Sequence, residues 1–163
     1  MPLLNPGDTF PRLTLSIPGA QAIQVPGAFA GEFAVMLFNR GAWCPYCTAQ
    51  LRAFQRASES LAQAGIKVAA LWVDDEETTA QFIARHGLTF PLGHSADARA
   101  VAALTGAFVN PDPVYLQSAG FVLNPQGKVI VSVYSSGAIG RLVPEDVIGL
   151  VGYLREHAAA SSR

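Results

Sequence analysis

The chain has 163 residues, of which 14% are charged, and its formal net charge is -1 at pH 7. It contains no basic block, and its longest apolar runs have six residues. We therefore expect no nucleic-acid partner and no membrane partner, because the first needs clustered Lys and Arg and a spanning helix needs about 20 apolar residues. Domains average about 25% charged residues, so the low charge content favours a covered surface and a homodimer. We expect one domain over residues 1–163 and, in the absence of a signal-peptide pattern, a cytoplasmic protein.

The first half of the chain predicts a hairpin and then a strand–helix–strand unit. Apolar and polar residues alternate over 13–17 and over 22–25, with a Pro-Gly pair between them, which is typical of a β-hairpin. The apolar runs 33–38 and 68–73 predict strands that are buried on both faces. Between them, apolar residues at helical spacing predict a helix over 45–64. Strand, helix and strand in this order form a parallel βαβ unit.

The second half predicts further helices and a second hairpin. The acidic run 74–77 precedes a predicted helix at 78–86, and we interpret it as a cap for that helix in preference to a metal site. The loop 108–116 carries four large apolar residues, which mark either a contact surface or a segment that packs on the core. The other predicted elements are an extended piece at 90–92, a helix at 96–104, strands at 120–123 and 128–133 joined by a turn, and a last helix that begins at Pro144.

Two cysteines lie where the first buried strand passes into the first long helix. Cys44 falls at the N-cap of this helix, and Pro45 takes the first helical position, where a missing N–H costs nothing. Unpaired backbone N–H groups and the helix dipole favour the thiolate at such a position, and the thiolate is the nucleophile. Cys47 lies one turn further along, about 5–6 Å away at Cβ, so a small adjustment would bring the two sulfurs into disulfide range. This arrangement predicts a redox-active pair.

Two other interpretations of the cysteines compete with a redox pair. Cys44 and Cys47 could form a structural disulfide or remain two inert thiols, but the Cys-x-x-Cys spacing at a strand-to-helix turn favours redox chemistry. A structural zinc site needs four ligands, whereas the chain has two Cys and no nearby His. We interpret His86, His94 and His157 as surface or helix-end residues, and we expect no metal and no cofactor.

The order of the predicted elements resembles the thioredoxin fold and, more narrowly, the peroxiredoxin family of alkyl hydroperoxide reductases and thiol-specific antioxidants. The opening Gly-Asp-Thr-Phe-Pro at 7–11, the helix pair around Phe-Pro-Leu at 90–92, the late hairpin at 121–129 and the Gly-Arg at 140–141 carry the resemblance over nearly the whole chain. It implies an α/β fold with a central mixed sheet flanked by helices and an N-terminal β-hairpin. It also implies that a cysteine reduces hydroperoxides and that a thioredoxin-like protein restores the thiols.

The sequence departs from the family at the cysteine motif. The family places its peroxidatic cysteine at the end of Pro-x-x-x-Thr-x-x-Cys; aligned on Cys47, this sequence has Cys44 in place of the Thr and Arg40 in place of the Pro. Gln50 then falls where many members have Glu, which supports that register. The family's late Arg would fall near Ser118, where there is none, and the cis-proline of thioredoxins is missing there too.

These motifs indicate the candidate site residues. Cys44 and Cys47 are the redox pair: the family register favours Cys47 as the attacking thiol, whereas the N-cap position and the expected burial of Cys47 favour Cys44, which we prefer. Arg40 and Arg141 are candidates for stabilising the thiolate, with ordinary surface pairing to Asp or Glu as the alternative. The candidate substrate or partner contacts are Trp43, Pro45, Tyr46 and Ser118.

Three functions fit these residues. The first is a peroxiredoxin-like thiol peroxidase, in which one thiolate becomes a sulfenic acid and the other cysteine condenses with it. The second is a protein dithiol-disulfide oxidoreductase without peroxidase activity, and the third is a redox-sensing binding module.

Overall fold

The computed structural model describes residues 3–161, and its side chains to residue 158. None of the helices in this part of the chain is long and apolar enough to cross a membrane. The strands are β1 (Leu13–Leu15), β2 (Ile23–Val25), β3 (Phe33–Phe38), β4 (Ile66–Leu71), β5 (Leu92–Gly93), β6 (Val109–Pro111), β7 (Val114–Leu116), β8 (Ala119–Leu123) and β9 (Val129–Tyr134). The helices are α1 (Pro45–Arg56), α2 (Ser58–Gln63), α3 (Glu76–His86), α4 (Ala98–Thr105) and α5 (Pro144–Ser161), and a 3-10 turn spans Gly27–Phe29.

Five strands form a central mixed sheet in the order β5-β4-β3-β8-β9. Strands β3, β4 and β5 run parallel, whereas β8 pairs antiparallel with both β3 and β9. The continuous apolar runs predicted this outcome for β3 and β4, most of whose side chains are buried on both faces of the sheet. The carboxyl end of β3, the middle strand, therefore opens directly into the cysteine-bearing turn.

Two apolar layers sandwich the sheet. On one face, α1, α2, α3 and α5 cover a core that includes Leu51, Phe54 and Val151. On the other face, α4 and the β1–β2 hairpin cover a core that includes Phe10 and Phe121. The predicted N-terminal hairpin is confirmed, with Leu13 opposite Val25 in antiparallel register. Because α1 packs between the sheet and solvent, its N-terminus is fixed at the rim of the sheet.

The helix predicted over 45–64 is in fact two helices, since α1 ends at Arg56 and α2 begins at Ser58. The chain changes direction at Ala57, whose amide bonds to the carbonyls of Ala53 and Gln55. The prediction was wrong here because the apolar spacing continues through to Leu61 while the backbone bends. The break lets both helices keep their buried residues on the same face of the sheet.

The loop predicted at 108–116 is a short antiparallel hairpin formed by β6 and β7. The two prolines of this segment favoured a loop in the sequence, because proline cannot donate a backbone hydrogen bond to a strand ladder and usually argues against a strand. Leu116 is fully buried, whereas Phe108 and Val114 are exposed. Part of this segment thus packs on the core, and part of it remains available for a contact.

The acidic run divides between two roles. Asp75 caps α3, as predicted, because its Oδ1 accepts a hydrogen bond from the Thr78 amide at 2.8 Å. Glu76 and Glu77 lie in the first turn of α3, where they favour the helix dipole. Asp74 does not cap the helix and reaches the cysteine loop instead.

We predict that Phe121→Ala destabilises the protein by about 3–5 kcal/mol, because it removes a fully buried ring from the core. The Phe121 ring lies 5.1 Å from that of Phe10, 5.2 Å from that of Phe38 and 5.5 Å from that of Tyr134, measured between centroids. Urea unfolding measures the loss. Phe108→Ala, which truncates an exposed ring, is the control; equal unfolding midpoints for the two variants would contradict the prediction.

Candidate active site

Cys44 is the N-cap residue of α1, as the sequence predicted. Its backbone is extended, Pro45 follows at the first helical position, and the Cys44 sulfur accepts a hydrogen bond from the Cys47 amide at 3.4 Å. The Cys44 carbonyl accepts the bond that starts the helix, from the Thr48 amide at 3.1 Å. Both cysteines are free thiols, and neither side chain exposes any surface to solvent.

Arg40 reaches Cys44 from the loop that precedes the helix. Its Nη1 lies 3.7 Å from the Cys44 sulfur, while Nε donates to Gln117 Oε1 at 3.0 Å and Nη2 donates to the Tyr115 hydroxyl at 3.0 Å. The guanidinium carbon also lies 4.9 Å from the centre of the Trp43 ring and 5.2 Å from that of Tyr115. These contacts hold the Arg40 guanidinium in one orientation, against the sulfur.

Arg141 reaches the same two sulfurs from the loop between β9 and α5. Its Nη2 lies 3.0 Å from the Cys47 sulfur and 3.8 Å from the Cys44 sulfur. Its Nη1 donates to Gln50 Oε1 at 2.8 Å, and its Nε donates to the Ala138 carbonyl at 2.7 Å. Two guanidinium groups that are about a hundred residues apart in sequence therefore converge on the cysteine pair.

The environment shifts the pKa values of the two thiols in opposite directions. Burial opposes ionisation of Cys44, but hydrogen bonds from Cys47 and Arg40 and the charge of Arg141 prevail and lower the pKa of Cys44. Burial dominates at Cys47 and raises the pKa of its thiol, although Arg141 and the Arg40 amide, 3.2 Å away, oppose it. Cys44 is therefore the cysteine that carries the thiolate more readily.

Asp74 fixes the loop that carries the first cysteine. Its Oδ2 accepts a hydrogen bond from the Ala42 amide at 2.7 Å. Burial raises the pKa of the Asp74 carboxyl above its ordinary value, against the effect of this hydrogen bond. Because Asp74 lies three residues after the end of β4 at Leu71, this bond links the cysteine loop to the segment that leaves the neighbouring parallel strand.

The structure brings together four of the predicted site residues: Arg40, Cys44, Cys47 and Arg141. Neither arginine forms a salt bridge within residues 3–158; the ion pairs described there are Lys67–Glu32 and His94–Glu76. Among these side chains neither Arg40 nor Arg141 shows the surface pairing with Asp or Glu that was the alternative, and their role in stabilising a thiolate stays a prediction.

The predicted contact residues occupy different environments. Trp43 and Tyr46 are exposed beside the cysteines, Pro45 is exposed at the start of α1, and Ser118 is buried. Gly41 has no side chain at the place where the Trp43 indole folds back over the loop. Ser118 lies next to the arginine-binding Gln117, and its carbonyl accepts from the Ser135 amide at 2.9 Å. A contact role for these four residues stays a prediction.

Sequence reasoning missed Tyr115, Gln117 and Asp74 as site residues. Tyr115 and Gln117 belong to a segment without a recognisable motif, and Asp74 stands in an acidic run that helix capping explained.

The described residues contain no cluster of three or more His, Cys, Asp or Glu side chains that could hold a metal ion.

The comparisons with known sequences agree on a family. A sequence model described as the AhpC/TSA family matches residues 6–132. The chain belongs to this family. A putative peroxiredoxin of Mycobacterium tuberculosis is 32% identical over 145 residues, which cover 85% of this chain and 90% of that protein. A peroxiredoxin of Treponema denticola is 28% identical over 153 residues, which cover 90% of this chain and 71% of that protein. The predicted peroxiredoxin family is confirmed, and the chain is a thiol-dependent peroxidase.

Solved structures of peroxiredoxins have the same fold. AhpC of Mycobacterium bovis superimposes with a TM-score of 0.78 at 21% identity, covering 95% of this chain and 94% of that one. Peroxiredoxin 6 of Arenicola marina gives a TM-score of 0.80 at 17% identity, covering 95% of this chain and 75% of that one. These similarities confirm the predicted thioredoxin fold of the peroxiredoxin type.

We predict that Arg141→Met slows alkylation of the cysteines near neutral pH about tenfold, because it removes a charge-assisted hydrogen bond worth about 1.5–3 kcal/mol. Since the lost cation favours the thiolate, the pKa of both thiols should rise, and the ultraviolet absorbance of the thiolate should appear at higher pH. Arg52→Met removes an exposed arginine from α1 and serves as the control. Unchanged titration of the cysteines in Arg141→Met would contradict the role of this residue.

Proposed function

We propose that the protein reduces hydroperoxides at Cys44, with Cys47 as the resolving cysteine. The observation that carries this proposal is the convergence of Arg40 and Arg141 on a fully buried sulfur pair. A peroxide bond needs a thiolate to attack it and a nearby cation to stabilise the oxygen that leaves with negative charge. The site offers both, since nitrogens of Arg40 and Arg141 lie 3.7 Å and 3.8 Å from the Cys44 sulfur.

The proposed reaction balances with one peroxide and two thiols. The Cys44 thiolate attacks the terminal OH oxygen of the hydroperoxide and the O–O bond breaks. The other oxygen leaves as an alkoxide, or as hydroxide from hydrogen peroxide, and takes up a proton from solvent to give an alcohol or water. Cys44 is then a sulfenic acid. The Cys47 sulfur attacks the Cys44 sulfur, the S–O bond breaks, and water leaves with the Cys47 proton. An external dithiol, which we propose is a thioredoxin-like protein in the reducing cytoplasm, restores both thiols by exchange.

The opposite thiol pKa shifts suit this division of roles. The lowered pKa of Cys44 favours the thiolate that attacks, and the raised pKa of Cys47 favours the thiol that condenses with the sulfenic acid. The exposed rings of Trp43 and Tyr46 lie beside the pair and offer an apolar surface to the reductant. We keep both residues as proposed partner contacts, together with Pro45 and Ser118.

A protein dithiol-disulfide oxidoreductase is the second candidate. Its support is the N-cap cysteine with a lowered thiol pKa, which is also what attack on a disulfide requires. Complete burial of both cysteines favours the peroxidase, because a small peroxide needs less opening of the site than a protein disulfide does.

A homodimer also stays a proposal. Phe108 and Val114 are the exposed apolar residues of the segment 108–116 that would contribute to its interface, and sedimentation tests it.

We predict that one equivalent of hydrogen peroxide converts the reduced protein to an intramolecular Cys44–Cys47 disulfide. The two sulfurs lie within one helical turn, so mass spectrometry of the non-reduced protein should show a loss of two hydrogens without covalent dimer. Peroxide should then be consumed in steady state with a thioredoxin system. Insulin-type disulfide reduction that outpaces peroxide consumption would instead support the second candidate, and a disulfide-linked dimer as main product would count against the resolving role of Cys47.

We also predict that Cys44 is the more reactive thiol. Cys47→Ser, which keeps Cys44, should be alkylated by limiting iodoacetamide at neutral pH about tenfold faster than Cys44→Ser, since a tenfold ratio needs only about 1.4 kcal/mol between the two thiolates. A lowered thiol pKa means that this reactivity persists to lower pH in Cys47→Ser. The same variants should then react with peroxide in a stopped-flow experiment. Faster sulfenic acid formation in Cys44→Ser would assign the attack to Cys47, as the family register has it.

A further inference from the structure

Two aromatic rings flank the arginine that reaches Cys44. The guanidinium carbon of Arg40 lies 4.9 Å from the centre of the Trp43 ring and 5.2 Å from that of Tyr115, within the range of a cation–π contact. The two rings also meet each other edge to face, with 5.0 Å between their centroids. In addition, the Tyr115 hydroxyl accepts a hydrogen bond from Arg40 Nη2 at 3.0 Å. Trp43, Arg40 and Tyr115 therefore form a closed cluster of three mutual contacts, which we call the aromatic clamp.

Gly41 makes room for the indole of the aromatic clamp. This glycine is buried, and a Cβ atom built on it would lie 2.2 Å from Nε1 and 2.7 Å from Cδ1 of Trp43. Its φ angle does not lie in the left-handed region that favours glycine. The backbone therefore does not require glycine at this position, whereas the indole does, because any side chain larger than hydrogen would push it off the loop.

The aromatic clamp acts on the attacking sulfur through one contact. Arg40 Nη1 lies 3.7 Å from the Cys44 sulfur, and this contact is among those that lower the pKa of the thiol. Because the contact is long, a small rotation of the guanidinium would break it. The Trp43 side chain is 56% exposed and contributes little to the core. Its packing against Gly41, Arg40 and Tyr115 is therefore explained by the site and not by the stability of the fold.

We propose that Trp43 is a positioning residue for Arg40: its indole, folded over Gly41 and against Tyr115, keeps the guanidinium turned toward the Cys44 sulfur. This inference rests on the proposed function, because it concerns the cysteine that is proposed to attack the peroxide. It gives Trp43 a role within the free protein, in addition to the proposed contact with a partner. Arg40 and Cys44 both depart from the family motif, which has Pro and Thr there, so the aromatic clamp accompanies a cysteine that this chain has placed differently.

The test is a double-mutant cycle in the Cys47→Ser background, where Cys44 is the remaining cysteine. The pH profile of iodoacetamide alkylation reports the pKa of Cys44. Trp43→Ala should move this profile upward by about half a pH unit, since an exposed cation–π contact changes an equilibrium by roughly two- to fivefold. In the Arg40→Met background, Trp43→Ala should move the profile no further, because the residue through which the indole acts is then absent.

Two outcomes of the cycle would overturn the proposal. An upward shift that persists in the Arg40→Met background would mean that the indole acts on Cys44 without the arginine. A profile that stays in place or moves downward in Trp43→Ala would mean that the indole only shields the sulfur from water, since a better solvated thiolate has a lower pKa. Trp43→Phe keeps an aromatic face for the guanidinium and should restore most of the parent profile.

Tyr46→Ala is the matched control for loss of an exposed ring. Tyr46 is 52% exposed in the first turn of α1, and among the described side chains its ring contacts neither another ring nor an arginine. Its removal should leave the profile of Cys44 unchanged, and a shift equal to that of Trp43→Ala would count against a specific role of the indole.

Gly41→Ala displaces the indole without removing it. This variant should reproduce the upward shift of Trp43→Ala, and it should add nothing once residue 43 is alanine, because the group that it displaces is then absent. A shift caused by Gly41→Ala in the Trp43→Ala background would show that the glycine serves another purpose. Thiol titration measures no peroxide turnover, so the proposed peroxidase activity can fail while this inference stands.

Discussion

The hydrogen bond from the Cys47 amide to the Cys44 sulfur closes the first turn of α1 and sets the geometry of the whole site. This hydrogen bond depends on the end of β3 at Phe38, on the extended backbone of Cys44 at the N-cap and on Pro45 at the first helical position. Because β3 is the middle strand of the sheet and α1 packs across it, this turn cannot shift without disturbing both apolar layers. The packing of α1 on the sheet therefore also fixes the positions of the two sulfurs, although these belong to the loop and the first helical turn at the rim of the core.

Burial and charge act against each other at this rim. Removing a thiolate from water is costly, and the structure offsets that cost at Cys44 with a helix amide and two guanidinium groups. At Cys47 the same kind of contacts are present, some of them shorter, yet deeper burial prevails and the pKa of the thiol rises. A single turn of helix thus creates two chemically different cysteines from identical side chains, through the balance of burial and hydrogen bonding at each sulfur. This difference is what a two-cysteine redox cycle requires.

The sequence predicted those parts of the fold and site that depend on neighbouring residues. The buried strands, the N-cap position of Cys44 and the helix start at Pro45 all follow from patterns within a few residues. Tyr115 and Gln117 could not be found in this way, since their role exists only once the hairpin has folded against Arg40, 75 and 77 residues earlier in the chain. The family pattern directed attention to Ser118, whereas the neighbouring Gln117 is the residue that reaches Arg40.

The positions of the two tryptophans give the protein an internal optical reference. Trp43 is half exposed beside the cysteine pair, and its ring is in contact with Arg40 and Tyr115. Trp72, in contrast, is fully buried, and its indole N–H donates a hydrogen bond to the Thr79 hydroxyl at 2.8 Å. We therefore expect a change of charge or bonding at sulfur to alter the emission of Trp43 more than that of Trp72, since Trp43 contacts Arg40 beside the cysteines. Such a difference would let the redox state of this protein be followed by its own fluorescence, without a label or an added reporter.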